Sequence, residues 1–293
     1  MPKLVWSPWL AAFAVLLAAA PAVHAEDDAA SAFDTDHLFA FNNGTDMDEP
    51  GTKELDAGIL GRFGRNGGIY RAYDGDLSFQ YTAAPNLQLQ LGASGAYHRI
   101  NDVPDMDDRD MAAFSGISIG LNYRLLDRAT HGVGLAVSAE PYWTRIDDDS
   151  GERVNGYGSE FVIASDMELV PNFLVGVINV SYEPEKTKSR VDGTWSSQNT
   201  AGLSGGLMAK LHDNIFAGVE MRYLRTYDSL DFSAFAGDAF YLGPTISVTL
   251  SENAWLTFGW SAQVAGHAVG NDGALDLVNF ERNQARLAVG VSF

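Results

Sequence analysis

The sequence predicts an all-β fold, a transmembrane antiparallel up-and-down β-barrel of about 12 strands, and three observations carry that reading. Apolar and polar residues alternate over segment after segment. Short polar connections alternate with long ones along the whole chain. No stretch after residue 25 is apolar over the ~20 residues that a membrane-crossing helix needs. In lipid every backbone N–H and C=O must be satisfied within the protein, so a chain that spans without helices has to close its sheet.

The alternation is clearest at the end of the chain. Ala285, Leu287, Val289, Val291 and Phe293 form one face, and Gln284, Arg286, Ala288, Gly290 and Ser292 the other. That period of two belongs to a strand with one apolar side. Leu87, Leu89, Leu91 and Ala93 alternate in the same way with Gln88, Gln90, Gly92 and Ser94. Ile117, Ile119, Leu121 and Tyr123 alternate with Ser118, Gly120, Asn122 and Arg124. Residues 173–182 are the exception, because both of their faces are apolar.

Five connections are short and rich in Pro, Asn or Asp, as tight turns are; they cover residues 83–86, 127–131, 170–172, 212–214 and 251–253. Longer polar stretches lie between them at 64–69, 100–110, 147–155, 185–194, 228–238 and 265–281. The expected strands are therefore 54–63, 70–82, 87–98, 111–125, 132–146, 156–169, 173–182, 195–211, 215–226, 239–250, 254–264 and 282–293.

A chain that stops on an aromatic residue, with alternating apolar residues behind it, resembles the terminal strand of Gram-negative outer-membrane β-barrels. The resemblance implies short periplasmic turns, longer external loops and an even strand number. It also implies that Phe293 is part of an assembly signal, read by the barrel-assembly machinery after delivery by periplasmic chaperones. The expected surroundings are outer-membrane lipid. Two aromatic girdles are expected at its boundaries. Tyr81, Tyr123, Phe173, Phe216, Trp255 and Phe293 would form one, and Tyr97, Trp143, Tyr157, Tyr223 and Tyr241 the other.

Residues 1–25 read as a cleaved export signal. Lys3 gives the positive start, residues 9–20 the apolar run, and Val23-His24-Ala25 the small residues of a cleavage site. The run is too short to span as a helix. Residues 26–53 form an N-terminal periplasmic or lumenal segment, and residues 54–293 the transmembrane barrel. Residues 37–41 within the segment suit either a short strand or a stretch lying in the lumen.

Composition narrows the function. The net charge of -19 excludes nucleic acid as a partner, since its binders carry basic patches. With no Cys there are no disulfides and no thiolate metal sites. By the alternation, a candidate lumen lining consists of Arg62, His98, Arg124, Glu140, Glu220, Arg222 and Arg286. Asp56, Asp76, Glu160, Asp166 and Glu168 share that face. Such residues either pair into a network that stiffens the wall or select solutes. Inward glycines at 92, 120, 134, 259 and 290 are expected to leave room between them.

The acidic stretches 101–110 and 147–152 fit a solvated surface better than a calcium loop, whose spacing they lack. No cofactor, metal site or catalytic residue is expected. The six His residues show no nucleophile–base spacing. Gly202-Leu203-Ser204-Gly205-Gly206 falls on a strand, without the strand–turn–helix context of a nucleophile elbow. The reading favoured is a porin-like channel or transporter for small solutes, because about twelve strands enclose more space than eight. The alternatives are a structural or surface-interacting barrel with a plugged lumen and, behind it, a lipid-modifying enzyme.

Overall fold

The computed structural model of the chain describes residues 33–293. The export signal expected at 1–25 lies outside the described residues. Twelve strands follow one another: β1 Lys53–Phe63, β2 Ile69–Ala84, β3 Leu87–Asn101, β4 Arg109–Leu126, β5 Gly134–Ile146, β6 Arg153–Val170, β7 Leu174–Ser189, β8 Trp195–His212, β9 Ile215–Tyr227, β10 Phe235–Ser251, β11 Ala254–Ala268 and β12 Asn283–Ser292. Each pairs antiparallel with its neighbour, and β12 returns to β1, so the sheet is a closed barrel. The closing ladder runs from Glu54↔Ser292 to Phe63↔Asn283. Phe293 extends it, donating to Lys53 O at 2.8 Å and accepting from Lys53 N at 3.2 Å.

Most strands are longer than the alternation alone indicates, mainly at the long-loop end, while β5 and β12 are slightly shorter. β7 continues to Ser189, through Pro184, past the expected end of the strand at 182. Pro184 has no N–H to give, and the β6–β7 ladder is interrupted between Gly158↔Glu185 and Phe161↔Tyr182. Pairing with β8 carries the strand across that gap, with Pro184 opposite Asn199. The turn at 127–131 is a single helical turn, Arg128–His131, capped by the Asp127 carboxylate accepting from Ala129 N at 2.8 Å.

The outward face has no protein to bury it. Leu91 is 59% exposed, Ile119 61% and Ile163 53%, an arrangement that only lipid makes favourable. Exposed Tyr81, Tyr123, Phe173 and Phe293 border this band at the short-turn end, and Tyr157 and Trp195 at the other. Three expected girdle members belong elsewhere. Phe216 and Tyr241 are buried, and Trp255 stacks on His37 at 4.1 Å. On their strands they fall on the inward parity, so the pleat decides their side.

Inside the wall lies a core that alternation does not anticipate. Phe33, Leu38 and Phe39 pack with Val175, Val177, Met208 and Phe216. This is why β7 is apolar on both faces: its outward residues meet lipid and its inward ones meet the N-terminal segment.

Deleting Phe293 removes both closing hydrogen bonds and an aromatic that is 67% exposed at the membrane edge. The deleted chain should show a several-fold lower yield of heat-modifiable folded barrel in membrane fractions. Insertion at the full-length level would mean that the terminal residue plays no part in closure.

Candidate functional site: the lumen and its two closures

At the short-turn end, residues 33–46 are held inside the barrel by inward side chains of four sectors of the wall. Glu220 on β9 is the principal anchor. Its carboxylate accepts from Ala40 N at 2.8 Å, Phe41 N at 2.9 Å and Asn42 Nδ2 at 2.6 Å, and from Thr245 Oγ1. Asp166 on β6 accepts from Thr35 Oγ1 at 2.6 Å and from Thr45 N and Oγ1, both at 2.9 Å. Asn179 on β7 exchanges two bonds with the backbone of Asn43, at 2.6 and 2.9 Å. Arg128 reaches in from the helical turn to Asp46 at 2.5 Å and to Asp166 at 3.2 Å. His37 stacks on Trp255 and pairs with Glu54 at 2.9 Å. A segment with no ladder of its own has to find partners for its buried amides, and these side chains supply them.

The inward glycines mark where the segment sits. A Cβ on Gly134 would fall 1.9 Å from Thr45 Oγ1, and one on Gly259 would fall 2.5 Å from the Ala40 side chain. The space expected to be open at these two positions is filled by the plug, whose Thr45, Ala40 and Phe41 side chains approach the wall too closely for a larger residue.

The long-loop end closes differently. Arg62 and Arg65 gather Asp74, Asp149 and Glu281: Arg62–Asp74 is 2.8 Å, Arg65–Asp149 2.5 Å and Arg65–Glu281 2.8 Å. Tyr70 donates to Asp149 O at 2.9 Å, and His98 Nε2–H donates to Asp148 O at 2.7 Å. The loop at 147–152 therefore folds into the mouth and is not the solvated acidic surface that its composition suggests. Burial pushes the Asp148 carboxyl up to about 8, with Asp74 adding to the effect. Burial also acts to raise Glu281, yet the neighbouring Arg65 and Arg62 guanidiniums hold it well below the usual carboxylate range.

Two adjoining cavities of about 260 and 330 Å³ lie between these closures. They share Asp76, Ser78, Gln90, Glu140, Glu160 and Arg286. Among the described residues, the side chains of Asp76, Glu140, Glu160 and Arg286 have no hydrogen bond or ion pair, and they line the cavities.

The candidate lining residues thus divide by role. Glu140 and Arg286 line the cavity. Arg62 and His98 belong to the long-loop closure. Glu220 anchors the plug, and Arg222 lies 4.0 Å over the Phe41 ring while donating to Gln284 Oε1 at 2.6 Å. Arg124 departs from the expected lining: its guanidinium turns back to Pro85 O at 2.8 Å and Asn86 Oδ1 at 3.3 Å, bracing a turn at the barrel's rim. Glu168 also serves a turn, accepting from Asn172 N at 2.9 Å. Sequence reasoning missed Glu54, Arg65, Arg128, Asn179 and Glu281. The two apolar faces of residues 173–182 and the apolar Phe33, Leu38, Phe39 and Phe41 outside any strand were the available signals.

A closed barrel, apolar outside and polar inside, with its own N-terminal segment seated in the lumen, is a transmembrane β-barrel of the Gram-negative outer-membrane type. The chain belongs to the family of unknown function DUF6662, which matches residues 31–293. No curated protein matches its sequence. Among solved structures it resembles the COG4313 outer membrane channel from Pseudomonas putida F1, at 11% identity and a TM-score of 0.57 over 85% of this chain and 98% of that one. It also resembles the translocator domain of the autotransporter NalP from Neisseria meningitidis, at 13% identity and a TM-score of 0.53 over 85% and 91% of the two chains. The β domain of the Bordetella autotransporter BrkA matches at 11% identity and a TM-score of 0.53 over 83% and 100%. At these identities the likeness is one of fold.

Glu220→Ala should loosen the plug, since each hydrogen bond to a charged group contributes roughly 1.5–3 kcal/mol. Cleavage within residues 33–46 by an added protease should rise at least ~100-fold, the equivalent of losing one such bond at ~1.4 kcal/mol per tenfold, with the barrel intact; an unchanged rate would show that Glu220 does not hold the segment.

Docking should also weaken with alkali. Burial tends to lower the His37 imidazole, but Asp36 and the Glu54 hydrogen bond overcome it and raise it from 6.5 to about 10. A raised value means that docking is fully supported below 6.5 and loses support as pH climbs towards 10. Protease access to the segment should therefore increase over that interval, and the increase should be smaller in His37→Gln.

Proposed function

We propose that this protein is a porin-like outer-membrane channel for small polar solutes, exported by its N-terminal signal and closed at rest by residues 33–46. The observation that carries the reading is the polar chamber between the closures, whose Asp76, Glu140, Glu160 and Arg286 side chains have no hydrogen bond or ion pair among the described residues. A wall designed only for rigidity would pair such groups, because unpaired charges in a narrow enclosure are costly. The outer-membrane channel fold of a similar solved structure supports the same class. Carboxylates outnumber the single guanidinium in the chamber, so the field favours cations.

The second reading, a structural barrel with a permanent plug, draws on the extent of the anchoring by Glu220, Asp166 and Asn179. A planar-bilayer recording separates the two. The native protein should give rare, small conductance steps, and Glu220→Ala frequent ones with a preference for cations. Glu140→Gln with Glu160→Gln should reduce that preference several-fold at low salt, where screening is weak. Silence from every folded variant would support the structural reading.

A further inference from the structure

The chain is strongly acidic, yet the outer surface of β6 and β7 at the long-loop end is basic. Arg153, Lys186 and Lys188 fall on the outward parity of their strands, Arg190 follows the end of β7, and all four are exposed. The register brings them together: Tyr157 stands opposite Lys186, Asn155 opposite Lys188, and Arg190 N donates to Arg153 O at 2.9 Å. None of the four is in a salt bridge among the described residues. On β8, Trp195 is 54% exposed, and Lys186 and Lys188 lie over its ring at 5.1 and 5.5 Å. A shallow depression of about 450 Å³ lies beside them, lined by Trp143, Asn155, Lys188, Ser189 and Arg190.

The patch has a fixed height. Farther along the same two strands, beyond the outward pair Phe161 and Tyr182, are Ile163 and Val180, 53% and 51% exposed, in the apolar band. Residues two apart on a strand are ~6.6 Å apart, and adjacent strands ~4.8 Å apart. Four cations thus occupy an area comparable to one lipid headgroup, with aromatic rings at the boundary where such rings settle. Two carboxylates adjacent in sequence to the patch accept hydrogen bonds from neighbouring residues: Glu152 from Ser189 Oγ, and Asp192 from Thr194 N at 2.9 Å.

We propose that this surface binds the phosphate of an outer-leaflet phosphoglycolipid. The cations take the phosphate oxygens, Trp195 and Tyr157 pack on the sugar, and the acyl chains run down over Val180 and Ile163. The continuity of the basic patch with the lipid-facing band selects a lipid over a free anion. The acidic loop at 102–110 elsewhere on the rim would repel the same headgroup.

The test uses the full-length exported protein in nanodiscs of uncharged phosphatidylcholine, with native mass spectrometry counting bound diphosphoryl lipid A. At roughly 1 kcal/mol per Lys near an anionic headgroup, Lys186→Gln with Lys188→Gln should lower affinity at least tenfold. Lys53→Gln with Lys210→Gln removes the same charge at the short-turn end and should leave affinity within twofold. Lys186→Arg with Lys188→Arg should restore binding, which guards against a folding defect. Fully dephosphorylated lipid A should bind no better to the native protein than to the Gln variant. The proposal is overturned by equal binding of the two lipids, by equal losses in the two Gln variants, or by displacement of the lipid by inorganic phosphate at matched phosphate concentration.

Discussion

The constraint on which the structure depends is that a backbone in hydrocarbon finds no water to bond. Strands can meet it only by closing, so β12 must return to β1, and the last residue, Phe293, completes its pairing with Lys53. Closure fixes two further things. Every side chain is committed to lipid or lumen by the pleat, and twelve strands enclose more volume than their own inward side chains fill. The lumen therefore has to hold something else, either water or chain.

This barrel holds both. At the short-turn end the filling is a segment without secondary structure, which brings buried amides that need acceptors. Glu220, Asp166 and Asn179 supply them from three different strands. Small apolar contacts of Phe33, Leu38 and Phe39 with the inward faces of β7, β8 and β9 complete the seat. At the long-loop end an ion cluster around Arg62, Arg65 and Glu281 ties a loop into the mouth. The chamber between them retains charged groups that neither closure uses, which is where a permeating solute would be felt.

Electrostatics is distributed with the same economy. Acidic groups dominate the interior and the loop tips, while the outward surface at the long-loop end of β6 and β7 is basic. A net charge describes neither region. What matters is which face of the strand each residue occupies, and at what height on the wall.

The closed barrel, its twelve strands and the side on which most residues lie were legible in the sequence, because a period of two leaves its mark in every strand and turn chemistry is local. Segment 87–98 alternates cleanly, and it is β3, with Gln88 and Gln90 on the inward face of the cavity. The partners of inward groups were not legible. Glu140 and Glu220 are both inward acids, yet one lines the cavity and the other caps the amides of a segment 180 residues away. The same holds for Trp255, Phe216 and Tyr241, whose aromatic character suits a girdle and whose parity places them inside. Even Pro184, which lies past the expected end of the strand at 182, is carried through by its β8 neighbour. The sequence by itself determined a closed, lipid-facing wall; only the tertiary structure decided what occupies its centre, because lumenal contacts join residues far apart in the chain and follow no period.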